Sequence, residues 1–192
     1  MENTDLNALR DRAYKIACDH GFHDKELSDD HFLMLVITEL SEVVEADRKN
    51  RHADVYSFVS AMDIIIDSFL SESNLRNNAF KVSFQEKIKD SVEDELADTV
   101  IRLLDLAGLR EIDLDPLELP IQKSCTSDVM TIFCFDAISF IYMKNAKLKD
   151  KICVLISFLF EKAQNDGIDL FWHIEQKMRY NELRPNMHGK KY

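Results

Sequence analysis

Two pairs of acids, Glu39 with Glu42 and Glu95 with Asp98, share one spacing. The second acid follows three positions after the first, and residues three apart on an α-helix project neighbouring side chains from one face. On two facing helices the pairs would bring four carboxylates to one point, where mutual repulsion calls for a cation. A dense set of oxygen donors suits a hard ion. Mg²⁺ keeps several waters and takes phosphate oxygens as further ligands, and Mn²⁺ is its expected substitute. Such an arrangement is the usual one for polyphosphate chemistry. Acids make up 35 of the 192 residues, so the spacing also arises by chance and needs the support of the elements that carry it.

Those elements read as helices. Apolar residues recur at helical spacing over 4–20, 29–49, 54–72, 84–109, 127–147, 149–165 and 168–183. Asp29 is placed to cap the second stretch, Gly108 lies near the end of the fourth, and Asp166-Gly167 parts the last two. Pro116 and Pro120 make 110–126 the clearest loop, read as a crossover inside a single domain spanning 1–192. Only 4 Gly and 3 Pro occur, too few for the tight turns of an all-β or α/β chain. The fold class expected is an all-α helix bundle.

Helical wheels give the acids different settings. Phe32, Leu33, Val36, Leu40, Val43 and Val44 form an apolar arc on the second helix; Glu39 falls inside it, Glu42 at its edge and Glu45 away from it. The 84–109 stretch is apolar nearly all round through Ile88, Leu96, Val100, Ile101, Leu103, Leu104 and Ala107. That leaves a strip of Glu95, Asp98, Arg102 and Asp105. A helix this apolar needs partners on several sides, so a homodimer or higher homo-oligomer is expected.

The formal net charge is −11, yet 172–192 carries a local +3, which leaves −14 on the rest of the chain. An acidic body excludes the broad basic face of a nucleic-acid binder and suits a small anionic ligand approached by the basic 174–192 segment. Arg offers a planar fork to phosphate oxygens and Lys a mobile point charge. Lys177, Asn181 and Arg184 stand about one helical turn apart, with His188 and Lys190 beyond them. Cys18, Cys125, Cys134 and Cys153 form no C-x-x-C pair, the N-terminus lacks an apolar leader, and no apolar run is long enough to span a bilayer. A cytoplasmic location without membrane contact is the expectation.

Glu39-Leu-Ser-Glu42-Val-Val-Glu45-Ala and Glu95-Leu-Ala-Asp98-Thr-Val-Ile-Arg-Leu-Leu-Asp105-Leu-Ala resemble the E-x-x-E and E-x-x-D motifs of the MazG-like all-α nucleoside triphosphate pyrophosphohydrolases. That superfamily also holds phosphoribosyl-ATP pyrophosphohydrolases, dimeric dUTPases and dCTP pyrophosphatases. The ending Lys177-Met-Arg-Tyr-Asn181-Glu-Leu-Arg184-Pro-Asn-Met-His188-Gly-Lys190-Lys191 resembles the basic ending of several MazG-like proteins. The resemblance covers 35–50, 84–110 and 174–191; the remaining helices are additional to a MazG-like unit. It implies that Glu39, Glu42, Glu95 and Asp98 bind Mg²⁺ and serve catalysis. It further implies that Lys177, Asn181, Arg184, His188 and Lys190 approach the phosphates of a nucleoside triphosphate. Cleavage would fall between the α- and β-phosphates, giving a monophosphate and pyrophosphate in nucleotide-pool house-cleaning.

Two rival readings follow from the same residues: an enzyme of this fold restricted to dUTP or dCTP, and a non-catalytic helical interaction module. No phosphate-binding glycine loop, Ser-His-Asp set or cysteine nucleophile environment is recognisable. Ile64-Ile65-Ile66, Phe133, Phe135, Phe140, Phe158 and Phe160 read as core stripes. Trp172 and His173 read as bundle interior, and His31 in the first turn of its helix is open between roles.

Overall fold

The computed structural model describes residues 5–67, 73–115 and 127–189, and among them every regular element is helical. The helices are α1 Leu6–Asp19, α2 Asp29–Arg48, α3 Val55–Asp67, α4 Ser73–Lys87, α5 Val92–Leu109, α6 Met130–Ile141, α7 Leu148–Asn165 and α8 Leu170–Glu182. A 3₁₀ turn, Asn186–Gly189, follows. The chain is therefore the all-α bundle that the periodicity implies. No helix among the described residues is long and apolar enough to cross a membrane.

Helix α5 is the axis of the bundle, packed by α1, α2, α7 and α8. Its near-continuous apolar circumference is the reason: Leu96, Val100, Leu103, Leu104, Leu106 and Ala107 are wholly buried, each gaining by removal from water. Gly108 lets α1 approach closely, because a Cβ there would lie 2.5 Å from that of Tyr14. Helix α6 packs on α2 and α7, and α3 pairs with α4. A second, smaller core joins that hairpin to α8: Phe58, Phe80, Phe84 and Ile88 close around Tyr180, with Phe84 and Tyr180 stacked at 4.5 Å.

Three boundaries differ from the sequence reading. The stretch 84–109 is not one helix. α4 ends at Lys87, Asp90 adopts φ 60°, and Ser91 caps α5 by accepting a hydrogen bond from the Asp94 amide at 3.2 Å. Apolar spacing runs unbroken across this corner, so periodicity alone hides it. Helix α2 is capped by Ser28, whose hydroxyl accepts from the His31 amide, and Asp29 is its first residue, favourably placed against the helix dipole. Helix α4 occupies 73–87, most of which the periodicity leaves unassigned. Residues 68–72 of the expected third helix and 116–126 of the expected loop lie outside the described residues; 110–115 are non-helical as expected.

Phe133 and Phe160 are buried, and Phe140 packs on Phe158, as core stripes should. Phe135 and Ile64 are not core: each is more than two-thirds exposed. Among the described residues helix α6 is covered chiefly by α2 and α7, and α3 chiefly by α4.

Candidate metal centre

Three of the four acids expected to converge between α2 and α5 come together. Carboxylate oxygens of Glu39, Glu42 and Glu95 lie within 4.8 Å of one another, with Glu39 and Glu95 buried and Glu42 exposed. The local sequence explains the arrangement. Glu39 lies within the apolar face that α2 turns to α5, Glu42 stands one turn on at its edge, and Glu95 occupies the first turn of α5 beside Glu93 and Asp94. The positive end of the α5 dipole offsets part of that charge. Glu45, read as pointing away, pairs instead with Lys49 at 2.9 Å on the exposed side.

Asp98, the fourth expected ligand, lies outside this group of three. Its carboxylate faces the Lys177 ammonium at 3.3 Å, and Lys177 donates to Asp94 Oδ2 at 2.7 Å. Lys177 is thus buried against acids of α5 rather than exposed as a mobile charge. On the α2 side, Arg102 donates through Nε to Glu39 Oε1 at 3.0 Å. Two cations, Arg102 and Lys177, therefore face five carboxylates: Glu39, Glu42, Asp94, Glu95 and Asp98. The excess of negative charge is what a divalent ion would offset.

Burial, more than that excess, sets the protonation equilibria. Burial pushes the Glu39 carboxyl up to about 7; the charge on Asp98 adds to the shift and Arg102 opposes it. Burial pushes Glu95 up to about 8, opposed by Lys177 and reinforced by Asp94, Asp98 and Glu42. Asp94 is raised by burial against the pull of Lys177. Burial would lower the Lys177 ammonium, but Asp94, Asp98 and Glu95 outweigh it and hold the group protonated above the lysine range.

The rest of the C-terminal set spreads out. Asn181 is buried, and its Oδ1 has no hydrogen-bond partner among the described residues. Arg184 is partly buried, its guanidinium 5.7 Å from the Tyr180 ring centroid, while Arg179 lies 4.0 Å from that of Phe80. His188 belongs to the terminal 3₁₀ turn, its side chain outside the described set, and Lys190 also falls outside it. Asp98, Arg102, Asp105, Asn181 and Arg184 line a polar recess of about 40 Å³ against α1, with room for water.

Sequence reasoning did not single out Asp94, His20 or His23. Asp94 carried a signal, since Ser91-x-x-Asp94 has the form of a helix start. His23 had none: Nε2 meets Asp105 Oδ1 at 2.7 Å across 82 positions, beside the rings of Tyr14 and Phe32. His173 is buried as expected, its Nδ1 without a hydrogen-bond partner among the described residues, whereas Trp172 is only half-buried, edge-on to Phe58 at 5.7 Å. His31 meets Phe32 edge to face at 5.5 Å and borders a cavity.

The donor set consists of carboxylate oxygens, the chemistry that a hard divalent cation prefers. No family model, curated protein or solved structure matches the chain.

Proposed function

We propose that the chain is a Mg²⁺-dependent nucleoside triphosphate pyrophosphohydrolase, cutting between the α- and β-phosphates to a monophosphate and pyrophosphate. The observation that carries this reading is the meeting of Glu39, Glu42 and Glu95 within 4.8 Å at the α2–α5 interface. Two of these carboxyls are raised to about 7 and about 8. Such a cluster is costly to fold unless a ligand uses it, and perturbed carboxyls gather where chemistry is done. The resemblance of the two acidic motifs to MazG-like proteins names the reaction.

Glu39, Glu42 and Glu95 would hold the ion, with Asp98 beside them. Mg²⁺, when bound, supplies Lewis-acid polarisation of phosphate oxygens and a lowered pKa for water. Arg102 orients Glu39 by its 3.0 Å hydrogen bond and keeps that carboxylate from turning away. Lys177 does the same for Asp94 and Asp98, a positioning role that replaces the direct phosphate contact its place in the sequence suggests. Arg184, at the recess beside Asp98, remains the phosphate contact of the C-terminal segment. We propose a homo-oligomer in the cytoplasm as the working form.

The test is product analysis. The purified chain is incubated with each common NTP and dNTP and Mg²⁺, and the wild type is compared with Glu42→Gln and Asp98→Asn. Monophosphate plus pyrophosphate, lost in both variants, is expected. Diphosphate plus phosphate would refute the assigned chemistry. Absence of turnover would leave the interaction-module reading, and turnover of dUTP or dCTP alone the specific-enzyme reading.

A further inference from the structure

One large cavity lies beside the carboxylates and takes no part in holding them. It measures about 680 Å³, within the range of small-molecule sites, and sits between the α1–α2 connection, the first half of α2 and the C-terminal 3₁₀ turn. Phe22, Leu27, Met34, Leu35 and Met187 make its apolar walls. Thr38 lines the end nearest Glu42, one helical turn away on the same face of α2, about 6 Å along the axis. Phe22 also borders the recess lined by Asp98 and Arg102, so one ring lies between the two spaces.

The wall formed by Met187 is built at a cost. Met187 has φ 52°, a left-handed conformation that a long side chain rarely adopts, and its amide donates to the His20 carbonyl at 2.9 Å. The imidazole of His20 spans Ile16 O at 2.8 Å and Arg184 O at 3.1 Å, tying the last turn of α1 to the chain just before the 3₁₀ turn. Gly21 completes the joint: it has φ 78°, and a Cβ there would fall 2.9 Å from Asn186 Oδ1. Held strain of this kind marks a position that the surroundings enforce. Here it places Met187 in the wall of the cavity and Arg184 in the recess, from the same chain as the carboxylates.

We infer that this cavity receives the nucleoside of the substrate, with the polyphosphate running along α2 towards Glu42, and that its walls read the base as a flat apolar plate. The inference rests on the pyrophosphohydrolase reading for the identity of the ligand. The walls are mainly side chains of Phe, Leu and Met; the His31 imidazole at the border lies edge to face on Phe32, the Thr38 hydroxyl is committed to Leu35 O at 2.6 Å, and Asp24 and Lys25 are exposed. A pocket that contacts its ligand through apolar surface separates rivals by about 10–200-fold, whereas one that reads hydrogen bonds reaches about 10⁴–10⁵. Selection among bases by this chain is therefore shallow.

The experiment is calorimetric titration of the full chain with AMP, GMP, CMP and UMP without metal, repeated on Leu35→Trp, which fills the cavity. Met34→Trp, at a half-exposed rim position, serves if the first variant loses its helical circular dichroism. Wild-type binding of all four, weakened at least about tenfold in the folded variant while Mn²⁺ affinity is unchanged, supports the assignment. No wild-type binding, unchanged binding in the folded variant, or preference for one base by more than about 10⁴ overturns it. If monophosphates bind in the cavity but no triphosphate is cleaved, the hydrolase reading falls and the nucleoside site stands. If triphosphates are cleaved with unaltered KM in the filled variant, the reverse holds.

Discussion

The raised carboxyls make the metal-free stability of this chain fall as pH rises. Glu39 and Glu95 titrate near about 7 and about 8 in the folded chain, against 4.5 for an ordinary glutamate. Between those limits the folded chain holds protons that the unfolded chain has released, so metal-free stability falls as pH rises. Either group alone would carry on the order of 3–5 kcal/mol across the full interval. Because they share a site they titrate together, and about 3 kcal/mol for the pair is the working figure. At about 2–4 °C per kcal/mol for a chain of this size, Tm without metal should drop by about 6–12 °C from pH 5.5 to pH 8.5. Asp94 and Asp105, both raised by burial, act in the same direction. His173, lowered by burial, acts in the opposite one below pH 6.5, and a His173→Gln background removes it. Mg²⁺ needs the ionised carboxylates, so its stabilisation is larger at pH 8.5, reaching about 2.7 kcal/mol at a hundredfold excess over Kd. The assay is thermal unfolding followed by circular dichroism, with and without Mg²⁺. A metal-free Tm that is flat or rises over this interval in the His173→Gln background, or an equal Mg²⁺ effect at both pH values, would refute the reasoning.

Three substitutions probe the supports of the site. Lys177→Met strips the buried cation from Asp94 and Asp98 and should cost about 3–5 kcal/mol in chemical denaturation at pH 8. The loss should shrink towards pH 5 as Asp94 protonates; a pH-independent loss would mean that packing, not charge, sets it. Ser91→Ala removes the cap of α5 and should cost about 1 kcal/mol, with Mn²⁺ binding weakened because Glu95 sits in the turn that frays. Gly21→Ala should cost about 1–2 kcal/mol and raise KM for nucleotide, since φ 78° and the contact with Asn186 both resist a Cβ; unchanged KM would separate the joint from the cavity.

Much of this site could be read from the spacing of the acids. The wheel placed Glu39 inside an apolar arc and Glu42 at its edge, and the structure has the first buried and the second exposed. Local periodicity suffices there because α2 packs with one face. It fails at Asp90-Ser91, where apolar spacing continues through a corner that the cap and the left-handed residue create. It fails again at α4, whose amphipathic pattern is weak because Phe80 and Phe84 alone are deeply buried there. The ties of Lys177 to Asp94 and of His23 to Asp105 join positions 83 and 82 residues apart. No local pattern encodes such contacts, which is why the basic segment read as a phosphate clamp while its first lysine lies within the acidic cluster.

The cation site itself is the central claim, and Mn²⁺ titration followed by electron paramagnetic resonance tests it most directly. The account predicts one tight ion per chain at pH 8, with affinity reduced at least about tenfold in each of Glu42→Gln and Glu95→Gln, the scale on which ligand-shell changes act. Absence of bound Mn²⁺, or binding that survives both substitutions at wild-type affinity, would contradict it.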